Sequence, residues 1–218
     1  MHAVNVRPLR KFHATAPNAQ GNPRVIQAAV QHLANQLAQF VRRRHGSSEE
    51  MVLASTLVQP DGSPVPQAQN RLVLTLVKIE KDSVPRPSQN RFPESDGRSG
   101  VRTTPLHLNL HVLLAANFAA GTYSESLKYL SSGISFFQRN PIFDHATSPD
   151  LPNGIERLVL EIENASIQEL SNLWGMLGAK HVPSILYKVR VVTMGGSELA
   201  ALVPEISDGL PHLGKKED

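Results

Sequence analysis

Three short stretches hold residue types whose spacing is suited to chemistry. The first is His107-Leu108-Asn109-Leu110-His111. Alternation on a strand puts His107, Asn109 and His111 on one face and the leucines on the other. The two histidines are four residues apart, so their backbones stand roughly 13–14 Å apart along the strand. That is too far to share one metal ion. His107 and Asn109 are closer, but asparagine is a poor ligand for transition metals. The second stretch places Glu161 and Glu163 near Arg157. Paired carboxylates can do acid–base work, although on a half-buried strand the plainer reading is a solvated face. The third is Asp144, His145 and Ser148. Their closeness in sequence is no evidence of a triad, which is recognised by geometry.

Other templates are absent. There is no phosphate-binding Walker loop, and Gly195-Gly196 lacks the third glycine and following helix of a dinucleotide fingerprint. No G-x-S-x-G elbow occurs. The chain has no cysteine, which removes disulfides, thiolate metal sites and thiol nucleophiles. His13, His32, His45, His145, His181 and His212 are isolated and supply no further metal motif. On residues alone, no active site and no cofactor or metal site is visible.

Charge adds little. With 22 basic and 19 acidic residues the net charge is +3, too balanced to argue for nucleic acid. The run Arg42-Arg43-Arg44-His45 falls at a predicted helix end, where cations suit the negative end of the dipole. The most apolar stretch, 106–120, is interrupted by His107, Asn109, His111 and Asn117, so it falls short of the roughly 18 apolar residues of a membrane span. The first residues lack the apolar core of a secretory signal. The expectation is a protein made and folded in the cytoplasm.

The elements that would position these residues read as follows. Residues 1–23 form a flexible arm. Val25, Ile26, Ala29, Val30, Leu33, Leu37, Phe40 and Val41 make one apolar stripe, predicting a helix that ends near Arg44 with Gly46 as terminator. Residues 51–58 and 70–80 read as strands, joined as a hairpin with a wide loop around the Pro60-Asp61-Gly62 turn. The second is apolar on both faces, as a central, doubly covered strand would be. Residues 81–105 hold four prolines and almost no aliphatics, predicting a long mobile loop. Residues 106–117 are a strand. A helix follows from Thr122 or Ser124 to Pro141, with Tyr123, Leu127, Leu130, Ile134 and Phe137 facing inward. Residues 144–154 are a loop, and 155–163 a strand with Leu158, Leu160 and Ile162 facing in. Ser166 and Glu169 form a capping box. Behind it Ile167, Leu170, Leu173, Trp174 and Leu177 make one buried face, and Gly178 closes the helix. Residues 184–192 are the last strand, with Ile185, Tyr187, Val189 and Val191 on its apolar face. The fold class is a single mixed α/β or α+β domain, with about three helices packed on one sheet of about five strands. Its body spans 24–194, flanked by the arm 1–23 and a tail 195–218, with the mobile loop at 81–104.

The second half carries a longer pattern. It runs from "PLHLNLHVLLAAN" through "FFQRNPIF" to "GIERLVLEIENASIQELSNLWGMLGAKHVPSILYKVRVV". Its most specific part is S-x-x-E-L-x-x-L-W followed by P-S-x-x-Y-x-V-x-V. This arrangement resembles the cap proteins that terminate the tube of contractile injection systems of the antifeeding-prophage and Photorhabdus-virulence-cassette type. The resemblance covers about residues 24–194; the arm, the loop 81–104 and the tail depart from it. It implies a structural protein rather than an enzyme, with no catalytic residues and no cofactor. Its implied partners are further copies of itself in a six-fold ring, the inner tube protein and the sheath protein, with no nucleic acid and no membrane insertion. It further implies assembly in the cytoplasm into an injection particle. Leu170, Leu173, Trp174, Pro183, Ser184, Tyr187, Val189 and Val191 match the motif positions as a scaffold. Two other readings stay open on sequence: a monomeric adaptor using the flexible segments, and a small metal-dependent enzyme using the His107/His111 face. Trp174 is expected to plug a core, with its indole N–H on a backbone carbonyl.

Overall fold

The computed structural model describes residues 24–82, 91–93, 98–102, 107–193 and 199–204. Three helices, α1 (Val25–His45), α2 (Tyr123–Arg139) and α3 (Ile167–Leu177), accompany nine strands. These are β1 (Val52–Ala54), β2 (Arg71–Lys81), β3 (Arg91–Pro93), β4 (Arg98–Arg102), β5 (His107–Asn117), β6 (Ile142–Asp144), β7 (Ile155–Ile162), β8 (Ser184–Thr193) and β9 (Leu199–Pro204). The main sheet has six strands in the order β1-β2-β5-β8-β7-β6. It is a mixed α+β fold, as the element pattern predicts. A second, antiparallel sheet has the order β3-β4-β9. Its strands come from inside the stretch read as a mobile loop and from the tail. Of that stretch Lys81 and Asp82 are also described, Lys81 as the end of β2; the remainder of both, and the whole arm 1–23, lie outside the described residues.

The long strands β2, β5 and β8 pair antiparallel at the centre of the sheet. The expected hairpin between the first two strands is not formed: β1 pairs with β2 in parallel. The Pro60–Gly62 turn closes a local bridge of its own between Val58 and Pro64. That turn sends the chain back, so Arg71 re-enters beside β1 in the same direction. β1 is correspondingly shorter than the strand expected over 51–58.

The two faces of the sheet are covered differently. On one face lie α1 and α2. Leu33, Leu37 and Val41 of α1, and Phe136 and Phe137 of α2, bury against Leu72, Leu74, Leu110, Leu114, Leu158, Val189 and Val191. Gly133 makes this close packing possible: a Cβ there would stand 2.8 Å from Leu114 Cδ2. The inward arc of α2 differs from the apolar stripe in the sequence. Tyr123 and Leu127 are exposed, whereas Ser126, Tyr129, Leu130, Ser132, Gly133, Phe136 and Phe137 are buried. Small polar residues serve on this face because their hydroxyls satisfy themselves within the helix. Ser126 Oγ donates to the Tyr123 carbonyl at 2.6 Å and Ser132 Oγ to the Lys128 carbonyl at 3.0 Å. Periodicity of apolar residues cannot see them.

On the other face lies α3. Its capping box is present: Ser166 Oγ accepts from the Glu169 N–H, and Glu169 accepts from the Ser166 N–H. Gly178 closes the helix at φ 65°, a left-handed position that glycine occupies without steric cost. Trp174 is buried among Leu57, Ala68, Val73, Leu113 and Ala115, with Leu170, Leu173 and Leu177 partly buried beside it. Ile167 is 89% exposed rather than inward. Seven residues before Trp174, and so on nearly the same side of the helix, it occupies the first turn of α3. Ile162, at the end of β7, is likewise exposed, unlike Leu158 and Leu160.

Candidate functional site

β5 presents His107, Asn109 and His111 on the α3 side of the sheet, in line with Leu113 and Ala115. The register places His111 opposite Lys78 and Lys188, and Asn109 opposite Glu80 and Arg190. The α3-side face is therefore apolar under Trp174 and polar along its continuation. A β-bulge in β2 between Leu76 and Lys78 marks the change.

Most of the charges on this polar half are paired among themselves. Glu80 accepts from Lys78 and, at 3.1 Å, from His111 Nε2. The Lys78 bond and then the His111 bond pull the Glu80 carboxyl down to about 2. Arg190 Nε lies 3.5 Å from Asp82 Oδ2, and the Asp82 side chain is almost fully buried. Asn109 Oδ1 and His107 Nδ1 are buried without a hydrogen-bond partner among the described residues. Of the charged groups here, Lys78, Glu80, His111, Asp82 and Arg190 hold internal partners, while Lys188 takes part in none of the ion pairs among the described residues. Among the described residues, no group of three or more His, Cys, Asp or Glu is placed to hold a metal ion. The strand geometry keeps His107 and His111 apart, as their spacing predicts.

The other two sequence candidates are not assembled either. β7 ends at Ile162, so the alternation that would pair Glu163 with Glu161 stops short; the Glu163 N–H instead donates to the Leu186 carbonyl. Arg157 lies 4.0 Å from Asp144, half exposed. Asp144 serves a turn: its Oδ1 accepts from Ala146 N–H and from Thr147 N–H and Oγ1. The Thr147 bonds hold its carboxyl below the usual range. His145 Nε2 donates to the Ile155 carbonyl at 3.0 Å.

Ser148 meets a histidine the sequence did not single out. Its Oγ is 3.0 Å from His32 Nε2 and donates to Asp150 Oδ1 at 3.1 Å. Asp150 also accepts from Gln36 Nε2. A nucleophilic triad needs the histidine between serine and carboxylate, so that it can take the hydroxyl proton. Here the serine stands in the middle, its proton is on the carboxylate side, and both His32 and Ser148 are buried. The arrangement pins the loop after β6 to α1. Sequence reasoning missed it because its members are 116 residues apart.

The motif residues divide between the two sides of the sheet. Trp174 belongs to the α3 side; Tyr187, Val189 and Val191 belong to the α1/α2 side and are buried. Pro183 and Ser184 are half-buried where β8 begins, and the Pro183 carbonyl accepts from the Ala116 N–H. Trp174 does not find the expected carbonyl: its Nε1 has no hydrogen-bond partner among the described residues, and its ring meets His181 edge-on at 5.4 Å. Ser184 Oγ and Tyr187 Oη are likewise buried without partners among the described residues. Burial pushes the Tyr187 hydroxyl up to about 12. Such side chains are held by packing.

The deciding observation lies along most of the chain. The family model described as the Pvc16 N-terminal domain matches residues 28–207. The chain belongs to this family. In agreement, the Pvc16-type fold recurs in a solved structure, the sheath/tube terminator of the PVC extracellular contractile injection system in its extended state. The match has a TM-score of 0.57 and 16% identity, over 88% of this chain and 65% of that one. The tube-terminating cap of the anti-feeding prophage aligns with a TM-score of 0.49 and 14% identity, over 83% of this chain and 59% of that one. The chain thus spans under two thirds of the length of either structure. No curated protein sequence matches it. The family that the sequence pattern resembles is the one found. No described helix is long and apolar enough to cross a membrane.

Proposed function

We propose that this Pvc16-family chain is a structural terminator subunit of a phage-tail-like contractile injection system. The observation that carries the reading is the family match across 28–207, supported by a shared fold with a protein described as a sheath/tube terminator. The site geometry is compatible with it, because the candidate catalytic residues are tied into turns, staples and ion pairs. In this reading the chain is not an enzyme. It joins further copies in a closed, head-to-tail ring, of which a hexamer is the expected form. It stops growth of the inner tube and holds the last ring of the sheath. The body 24–194 is the scaffold, with Leu170, Leu173, Trp174, Pro183, Ser184, Tyr187, Val189 and Val191 fixing its helix-to-strand turn. Assembly takes place in the cytoplasm, and the subunit leaves as part of the particle.

The test is deletion of the chain from its producing cell, followed by electron microscopy of the particles. Tubes or sheaths of uncontrolled length, or sheaths that contract spontaneously, are the expected result. Particles of unaltered length and stability would overturn the reading.

A further inference from the structure

The outer surface between α1 and α2 carries more cations than carboxylates: Glu49 and Glu125 approach it only at the Tyr129 end, and neither forms an ion pair there. The helices run antiparallel: His45 meets Tyr129 and Ser132, while Phe40 meets Phe136. Arg43 and Arg44 from α1, and Lys128 and Arg139 from α2, therefore lie along the outer groove between the two helices, which holds two depressions joined by the contacts of Arg44 and Arg139 with Phe40. All four are exposed, and none takes part in any of the five ion pairs among the described residues. At one end Arg44, His45, Lys128, Ser131 and Ser132 surround an open depression of about 540 Å³. At the other, Phe40, Arg43, Arg139 and Ile142 border a second of about 340 Å³.

The groove is organised as well as charged. The guanidinium groups of Arg44 and Arg139 lie 5.9 and 5.3 Å from the centre of the Phe40 ring. Such cation–π contacts hold a guanidinium in place and leave its edge available for carboxylates. Arg139 Nε also donates to the Ser135 carbonyl. His45 shows the local potential: burial, then Lys128, then Arg44 push its pKa down. Two helix C-termini contribute opposing dipoles, each worth about half a negative charge, so they offset only about one of the four cations. Asp150, at the Phe40 end, is already held by Gln36 and Ser148.

We propose that this groove is a docking site for an extended, acidic protein segment. From Lys128 to Arg139 is about 16 Å along the helix, the span of roughly five extended residues. At the Arg139 end the segment meets Ile142, 44% exposed on β6, which is an outer strand of the main sheet. An acidic segment with an apolar residue at that end satisfies both features. A single-stranded nucleic acid fits less well, because base stacking needs a free aromatic face and Phe40 is already covered by two guanidiniums. The site is independent of the terminator reading, since the charge layout is a property of this chain alone.

The test uses the full chain and a fluorescein-labelled ten-residue peptide of alternating Glu and Val, followed by anisotropy at low salt. Saturable binding is expected, weakening at least tenfold in the double variant Arg43→Glu/Lys128→Glu. The charge-matched variant Lys81→Glu/Lys180→Glu, on exposed residues away from the groove, should stay within threefold of the parent. No binding, equal loss in both double variants, or tighter binding of a ten-nucleotide oligothymidine than of the peptide would each overturn the proposal. Circular dichroism of both variants shows whether they are folded; if the first is not, Arg43→Ala/Lys128→Ala replaces it with the same expected direction.

Discussion

The two faces of the main sheet are built on different principles. The α1/α2 face buries a continuous cluster of twenty-four hydrophobic residues. The α3 face buries only six, among which Trp174 is by far the largest, and then gives way to paired charges around Glu80 and Asp82. The first face is redundant, because each side chain is backed by many others. The second concentrates its packing in one indole and closes the rest of its area with ion pairs. The α1/α2 face should therefore set global stability, and the α3 face should be able to open locally.

The sharpest way to break that contrast is a pair of truncations. Trp174→Ala should cost roughly 3–5 kcal/mol, and Leu37→Ala roughly 2–5 kcal/mol. The distinction lies in how the loss is spread. In Trp174→Ala, amides of α3 should exchange with solvent far faster than those of β2 and β5, whereas Leu37→Ala should accelerate all of them together. Uniform acceleration in both variants would mean that the faces form one cooperative unit. A milder probe is Ser166→Ala, which removes half of the capping box. It should lower stability by about 1 kcal/mol in urea melts, again with the exchange change confined to α3.

Tyr187→Phe tests the α1/α2 face from the opposite direction. The hydroxyl is buried without a described partner, so its removal should be neutral or stabilising by up to about 1 kcal/mol. A clear loss of stability would show that the hydroxyl is satisfied. The smallest effect is expected from pH. Burial pushes His32 below its ordinary 6.5, against the opposing attraction of Asp150. The unfolded chain therefore binds a proton more readily than the folded one. The stability from neutral His32 is complete above pH 6.5 and declines as pH falls below it. Urea midpoints at pH 7 and 5.5 should differ in the parent, and the difference should shrink in His32→Gln.

The same contrast decides what could be read from the sequence. The strands β2, β5, β7 and β8, the stripe of α1, the capping box and Gly178 were all legible, because each follows from local pattern. The inward arc of α2 was not, since Ser126, Ser132 and Gly133 carry no hydrophobic signal yet are buried. The parallel pairing of β1 was hidden because a turn motif announces a reversal and not the strand it will meet. Of the candidate chemistry, the alternation of His107, Asn109 and His111 was visible, but the pairing of His111 with Glu80 depends on cross-strand register. The His32–Ser148–Asp150 staple and the α1/α2 groove draw on residues distant in the chain, which no local pattern can join.

The position of β8 has a consequence for how the molecule is made. This strand lies between β5 and β7 in the sheet although it follows both in the chain. Until Ser184–Thr193 arrives, the β1-β2-β5 and β7-β6 parts of the sheet have no strand joining them, and β5 and β7 each present an open edge. Folding thus waits for a late segment to zip two earlier halves together, a step limited by the closure of non-local pairs. In that interval the exposed edges are the most aggregation-prone part of the chain, so order of synthesis and order of assembly run against each other.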